Sequence, residues 1–346
     1  MPRPSRIHRA PGRSRRPLRP ESSIAALLER LEVGPQPRVL VVGDLVADRY
    51  VFGRTDRISR EAPVLIVRHE REEVRLGGAA NAAWNVAVLG AQVTALGVLG
   101  DDEMGAKLEH LCAQSGITLH AIRDAALQTE SKTRILAGGV NTSRQQMLRL
   151  DRGQEGELPS HVRARVAEAL EELASRHDAV LVSDYGAGVL GPETIAAACQ
   201  AARTVPVTVD SRYQLHAFRG VTVAKPNEPE LAAATQLPIE TKAQVEKAAR
   251  SLVRSLNCEA ALVTRGREGM VLCTATGSEH LAPHGPRDAV DVTGAGDSVI
   301  ATFTTFLAAG GALTTAARLA NVAGGLVVQK PGTAAVTLTE LQHALE

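Results

Sequence analysis

The stretch "DAVDVTGAGDSVIATF", Asp288 to Phe303, decides how the chain is read. A glycine-rich turn, Gly294-Ala295-Gly296, runs straight into an apolar pattern of helical period beginning near Asp297. Glycines let a backbone approach a ligand closely, and the free N–H groups at a helix start attract anions. An acid inside such an anion nest repels the group the nest attracts. A helix cap is the plain reading of Asp297. The conflict is resolved if the acid faces a hydroxyl that attacks a phosphate. It would take that hydroxyl's proton while the nest holds the charge on the transferred group. The segment is neither a Walker A loop nor GxGxxG, since no Gly-Lys-Ser or Gly-Lys-Thr occurs and Ser298 is followed by Val299.

Outward from this turn the chain alternates strands and helices. "RVLVVGD" (38–44), "VTALGVLG" (93–100), "AVLVSDYG" (179–186), "PVTVD" (206–210), "GVTVAKPN" (220–227) and "AALVTRG" (260–266) are short apolar runs ending in polar or turn residues, the pattern of buried parallel strands. "AANAAWNVAVLG" (79–90), "DEMGAKLEHLCAQSG" (102–116), about 192–203 and "TKAQVEKAARSLVRSL" (241–256) are helical. The expectation is an α/β fold, a mostly parallel sheet with helices on both faces. Segments 48–78 and 131–151 break the rhythm with period-two alternation and much charge. They read as a small accessory β-sheet, a lid on a domain of residues 21–346. In open α/β sheets ligands bind beyond the carboxyl ends of strands, and Asp44, Asp184, Asp210, Asn227 and Arg265 fall at such ends.

Bulk properties exclude several classes. No run of about 18 apolar residues exists, so no membrane span is expected. Aromatics are 2% of the chain, too few for a stacking platform on nucleic acid. Residues 1–20 carry seven arginines and no acid; removing these from the formal net charge of +1 leaves −6 on residues 21–346, which gives the body no general pull on polyanions. The basic tail reads as disordered and lacks the apolar core of a signal peptide. Cys112, Cys199, Cys258 and Cys273 have no metal-ligand spacing and read as free thiols in a reducing, cytoplasmic compartment. His280 and His284 show no ligand pairing and read as surface residues.

Four motifs, in order, resemble the ribokinase-like (PfkB) carbohydrate kinases: "GGAANAAWNVAVLG" (77–90), "KPNEPE" (225–230), "VTRGREG" (263–269) and "DVTGAGD" (291–297). The resemblance spans about residues 38–346 and implies a ribokinase-like fold, ATP and Mg²⁺. Within the family, "GDLVADRYVFGRTDRISREAPV" (43–64), "LVSDYGAGVL" (181–190), "KTR" (132–134) and "QQMLRLD" (145–151) are similar to the branch that phosphorylates the 1-hydroxyl of heptose 7-phosphate in ADP-heptose and lipopolysaccharide core synthesis. "DSRY" (210–213) stands where that branch commonly has Asp-Pro-Lys-Gly, and "LAGGVNTSRQQ" (136–146) is longer than usual. A kinase for another sugar or nucleoside, or a non-catalytic binding regulator, is the alternative; the intact Gly-Ala-Gly-Asp favours an enzyme. No His-x-Gly-His motif of a nucleotidyltransferase occurs, so only the kinase step is expected.

The resemblance also assigns residues. Asp297 is the base, and Gly294, Ala295 and Gly296 present N–H groups to the transferring phosphate. Asp44, Gly77, Gly78 and Asn81 belong to the sugar, with Asp48, Arg57 and Asp184 as further candidates for its pocket. Asn227 and Glu230 act on Mg²⁺ through water, because Mg²⁺ keeps much of its hydration shell. Arg265, Gly266 and Asn321 line the nucleotide. Asp291 and Thr293, with the "KPGT" turn (330–333), resemble a monovalent-cation loop of the kind that takes K⁺. Period-two spacing puts Lys132 and Arg134 on one face of a lid strand, with Arg149 on its neighbour, where they could grip a sugar phosphate or simply be solvated. The lid strands are expected to pair in a homodimer.

Overall fold

The computed structural model describes residues 23–138, 144–154, 156–286 and 288–346. The basic stretch 1–20, and with it the expectation of a disordered tail, lies outside the described residues, as does part of the loop at 136–146.

The elements follow the chain as α1 (Ile24–Val33), β1 (Arg38–Gly43), β2 (Leu45–Ile58), β3 (Leu65–Gly78), α2 (Ala79–Val88), β4 (Gln92–Leu99), α3 (Glu103–Gln114), β5 (Ile117–Arg123), β6 (Ser131–Gly138) and β7 (Gln145–Arg152). Then come α4 (Ser160–Ala174), β8 (Ala179–Asp184), α5 (Pro192–Ala201), β9 (Val207–Ser211), β10 (Val223–Ala224), α6 (Glu228–Thr235), α7 (Lys242–Leu256) and β11 (Ala260–Thr264). The chain ends with β12 (Met270–Thr274), β13 (Ser278–Leu281), α8 (Ala295–Ala308), α9 (Leu313–Val327) and α10 (Leu338–His343).

Nine strands form the main sheet in the order β13-β12-β11-β10-β9-β8-β1-β4-β5. From β11 to β5 every neighbouring pair is parallel, while β12 and β13 add antiparallel to one edge. The fold is the expected mostly parallel α/β sheet. The central run of β1 shows why its strands read as continuous apolar segments: Leu40 and Val42 face the core on the α4 side of the sheet, whereas Val39 and Val41 face the core formed with α2 and α8. Helix α8 is buried along its whole length from Asp297 to Ala308, which explains its apolar character on all sides.

The second sheet has four strands, β3-β2-β6-β7, with β2 parallel to β6 and antiparallel to β3. It is made from the two segments whose period-two alternation set them apart. Its register places Asp48 beside Lys132 and Tyr50 beside Arg134. That face turns toward the main domain, since the Tyr50 hydroxyl lies 3.3 Å from Thr333 Oγ1.

One expectation changes in detail. The strand expected over 220–227 is only two residues long, because the prolyl peptide at Pro226 and the turn at Gly220 (φ 77°) bracket it. Cys112, Cys258 and Cys273 are buried, Cys199 is half-buried, and all four are free.

Candidate active site

The carboxyl ends of β8, β1, β9 and β10 converge on the start of α8. Gly294 takes the left-handed position before the helix (φ 76°), and a Cβ there would stand 3.0 Å from Asn81 Nδ2, so the residue must stay small. The Ala295 N–H closes a turn on the Val292 carbonyl at 3.2 Å, and the Ser298 N–H bonds the Gly294 carbonyl at 3.1 Å. The N–H groups of Gly296 and Asp297 between them are first-turn donors of the kind a helix leaves for an outside acceptor.

Asp297 is buried and gripped from two sides. Asn81 Nδ2 donates to its Oδ2 at 2.6 Å, and the Tyr185 hydroxyl donates to its Oδ1 at 2.7 Å. Loss of water pushes its pKa up to about 6; these two hydrogen bonds oppose the rise, Asp210 adds to it and Lys225 offsets it. Asn81 is held in turn by Asn85, whose Nδ2 donates to the Asn81 carbonyl at 3.0 Å, while Ser298 Oγ donates to Asn85 Oδ1 at 2.6 Å. This polar seam ties α2 to α8.

Beneath the nest lies a cation that the sequence reading left without a role. Lys225 is 3% exposed, and its Nζ pairs with Asp210 Oδ2 at 2.8 Å. Burial works against its charge, but the attraction and hydrogen bond of Asp210 outweigh this and hold its pKa above the ordinary value. A Cβ on Gly296 would stand 3.5 Å from Lys225 Nζ and 3.8 Å from Asp210 Oδ2. A lysine closing the buried run "VTVA" was the available signal, since such a charge needs a partner.

Several proposed sugar residues turn out to hold the frame. Asp44 is fully buried; its carboxylate accepts the N–H groups of Tyr185 (2.7 Å), Ala187 (3.1 Å) and Val189 (3.2 Å). Burial, then the charge of Asp184, pushes its pKa up to about 6. Asp184 accepts from Ser211 Oγ at 2.5 Å and from the Gly186 N–H at 3.0 Å. Gly77 and Gly78 end β3, and Gly78 (φ 56°) lies so close to the Asp44 carbonyl that a Cβ would meet it at 2.4 Å. Asp48 accepts from Arg134 Nη1 at 2.6 Å. Arg149, opposite Arg134 on β7, is paired with Asp151 by bonds of 2.8 and 2.7 Å. Arg57 is exposed toward the hairpin tip, about 30 Å along β2 from Asp48 at strand rise, and is not brought to Asp297. Lys132 Nζ stands 5.1 Å from the centroid of the Tyr185 ring.

On the other side of the nest opens a cleft of about 800 Å³. Arg265, Gly266, Asn321, Asn227, Asp291, Ala295, Gly296 and also His284, which the sequence placed at the surface, line it. Its volume suits a nucleotide. Arg265 Nε bonds Glu228 at 2.7 Å and Asn321 Nδ2 bonds the Ala282 carbonyl at 2.7 Å, so both are fixed before any ligand arrives. Asn227 and Glu230 form a reciprocal capping box on α6: Asn227 Oδ1 accepts the Glu230 N–H at 2.8 Å and Glu230 Oε2 accepts the Asn227 N–H at 2.9 Å. Burial raises the pKa of Glu230. Asp291 accepts the N–H groups of Thr293 and Gly332, both at 2.9 Å, which joins the two stretches assigned to a monovalent cation.

The family model described as pfkB family carbohydrate kinase matches residues 36–340. The chain is 43% identical over 305 residues to the D-beta-D-heptose 7-phosphate kinase of Bordetella bronchiseptica, covering 88% of this chain and 95% of that protein. It is 39% identical over 315 residues to the bifunctional protein HldE of Geotalea uraniireducens, covering 89% of this chain and 63% of the relative, so it spans less than two thirds of that longer protein. Among solved structures it resembles Arabidopsis thaliana ribokinase complexed with ribose and ATP (TM-score 0.71, 21% identity, 90% of this chain and 99% of that one). It also resembles Escherichia coli phosphofructokinase-2 in complex with fructose-6-phosphate (TM-score 0.69, 21% identity, 89% and 97%). The ribokinase-like fold, the four ordered motifs and the buried acid at the start of α8 thus meet in one chain, which belongs to the pfkB family of carbohydrate kinases.

Proposed function

We propose that residues 21–346 form one kinase domain that transfers the γ-phosphoryl group of ATP to the 1-hydroxyl of D-glycero-β-D-manno-heptose 7-phosphate, giving the 1,7-bisphosphate. The observation that carries the reading is the buried Asp297, held by Asn81 and Tyr185 beside the open N–H groups of Gly296 and Asp297, between the cleft and the lid. The heptose assignment rests on the relatives named for it and on the lid segments, and it places the reaction in ADP-heptose and lipopolysaccharide core synthesis. A cytoplasmic location is supported by the need for ATP and by four free cysteines.

In this reading the triphosphate lies in the cleft, with its terminal group at the start of α8. Asp297 takes the proton of the attacking hydroxyl, and the first-turn N–H groups together with buried Lys225 stabilise charge on the transferred group. Mg²⁺, when bound, neutralises phosphate charge. Glu230 offers a carboxylate whose Oε1 is outside the capping box, a fit for an ion that keeps several waters and takes one or two protein carboxylates. Backbone carbonyls around Asp291, Thr293 and the 330–333 turn, joined by the Asp291 hydrogen bonds, would hold K⁺.

Turnover per substrate concentration is expected to fall as pH drops through about 6, because Asp297 must be ionised to accept a proton. A pH profile from 5 to 8 checks this; a flat profile across that interval would contradict it.

A second copy of the chain is proposed to cover the lid, where Val64, Leu65, Ile66, Leu148 and Leu150 are exposed. Leu148→Glu is expected to shift the protein to monomer by light scattering, and an unchanged mass would remove the lid from the interface.

The function is tested with purified protein, ATP and a panel of sugars scored for ADP release. Heptose 7-phosphate should lead the panel, ahead of unphosphorylated heptose. Equal use of both would overturn the heptose-phosphate assignment, and ADP release with a nucleoside alone would replace it.

A further inference from the structure

Tyr185, in "SDYG" (183–186), has no task in the motifs that carry the family resemblance. Its surroundings give it one. The loop after β8 is pinned by the three N–H groups that Asp44 accepts, the first of them Tyr185's own. The side chain crosses to α8 and donates to Asp297 Oδ1 at 2.7 Å. Asn81 holds Oδ2 at 2.6 Å. Two donors on two different oxygens fix the plane of the carboxylate and leave a free lone pair on each oxygen. A base held in one orientation needs no rearrangement when the substrate hydroxyl arrives. The ring itself is flanked by cations: Lys132 Nζ lies 5.1 Å and Arg212 Cζ 5.6 Å from its centroid.

We propose that Tyr185 is the positioning residue of the phosphoryl-transfer reaction, its hydroxyl orienting Asp297 toward the sugar and its ring joining the base to the cationic side of the sugar pocket. The inference rests on the reading of Asp297 as base. Tyr185 keeps its proton throughout, since burial pushes its pKa well above the ordinary phenol range. It therefore acts as a donor and never competes for the substrate's proton.

The other groups facing this pair come from every element around it. Asp210 from β9 and Lys225 from beyond β10 act on Asp297; Lys132 from β6 and Arg212 from beyond β9 face the Tyr185 ring. A donated hydrogen bond favours the ionised carboxylate, so removing it raises the pKa of Asp297. Tyr185→Phe keeps the ring and its cation contacts and deletes only the donor.

The experiment measures kcat, KM and the acid limb of the pH profile for wild type, Tyr185→Phe and Asp297→Asn, with ATP affinity by calorimetry as the check on folding. Tyr185→Phe is expected to lose about tenfold or more in kcat, to move the acid limb upward by roughly half a pH unit or more, and to bind ATP as wild type does. Unchanged kcat with an unmoved limb would overturn the proposal. A lower kcat with an unmoved limb would also overturn it, because the tyrosine would then act through sugar packing alone. Loss of ATP binding would show a structural role and overturn it too. If instead Asp297→Asn keeps its turnover, the base assignment itself fails, whatever Tyr185→Phe does.

Discussion

Asp297→Asn is expected to lower kcat by roughly 10²–10⁴-fold, the usual worth of a positioned general base. The change is close to isosteric. The asparagine oxygen can still accept from Tyr185 or Asn81, and the N–H nest needs no side chain. ATP affinity should therefore be almost unchanged. The stability effect runs the other way. The folded pKa of about 6 lies above the ordinary 3.8, so the group stabilises the fold most below that ordinary value. Its contribution is lost as pH rises through about 6. At neutral pH an ionised, desolvated carboxylate burdens the fold, and the variant should melt no lower than wild type. Turnover near the wild-type level would remove Asp297 from the chemistry, and a large drop in melting temperature would show that it is a structural acid.

Lys225→Met should be the most destabilising change near the site. It preserves length and apolar contacts but leaves Asp210 facing Glu230 and Asp297 without its cation. Breaking a buried ion pair by removing one partner costs about 3–5 kcal/mol; with the Asp210 side chain 18% exposed, the lower end is expected. That corresponds to a fall in melting temperature of roughly 4–5 °C for a chain of this size. The double variant Lys225→Met, Asp210→Asn should recover part of the loss, because the uncompensated charge is gone. A melting temperature within a degree or two of wild type for Lys225→Met would show that the pair is solvated and weak. The same variant should also raise the acid limb, since Lys225 supports ionisation of Asp297.

What could be read from sequence was set by distance along the chain. Most strands of the main sheet were visible because burial on both faces makes them continuous apolar runs, and the second sheet was visible because its strands alternate polar and apolar residues. The edge strands β5 and β13 escaped, as each is exposed or half-buried along much of its length and lacks a continuous apolar run. The start of α8 was legible from one local conflict, an acid within an anion nest. The partners of that acid were not: Asn81 and Tyr185 reach it from 216 and 112 residues away. Nor could sequence show that the Asp44 and Asp184 oxygens are consumed by loop amides and Ser211. Asn-x-x-Glu at 227–230 carries two meanings at one spacing, a helix capping box and a magnesium motif, and the fold uses the first whatever the ligand does.

The central proposal is that Asp297 directs phosphoryl transfer to the anomeric oxygen of a heptose 7-phosphate. Phosphorus NMR of the product tests it most directly, with ATP, Mg²⁺ and heptose 7-phosphate supplied to wild type and to Asp297→Asn. Wild type should yield a new phosphate resonance coupled to the anomeric proton while the original 7-phosphate signal persists, and in the time wild type takes to finish Asp297→Asn should yield no more than a trace of that resonance or of ADP. A new phosphate at any other carbon, or the same product formed by Asp297→Asn at the wild-type rate, would contradict the account.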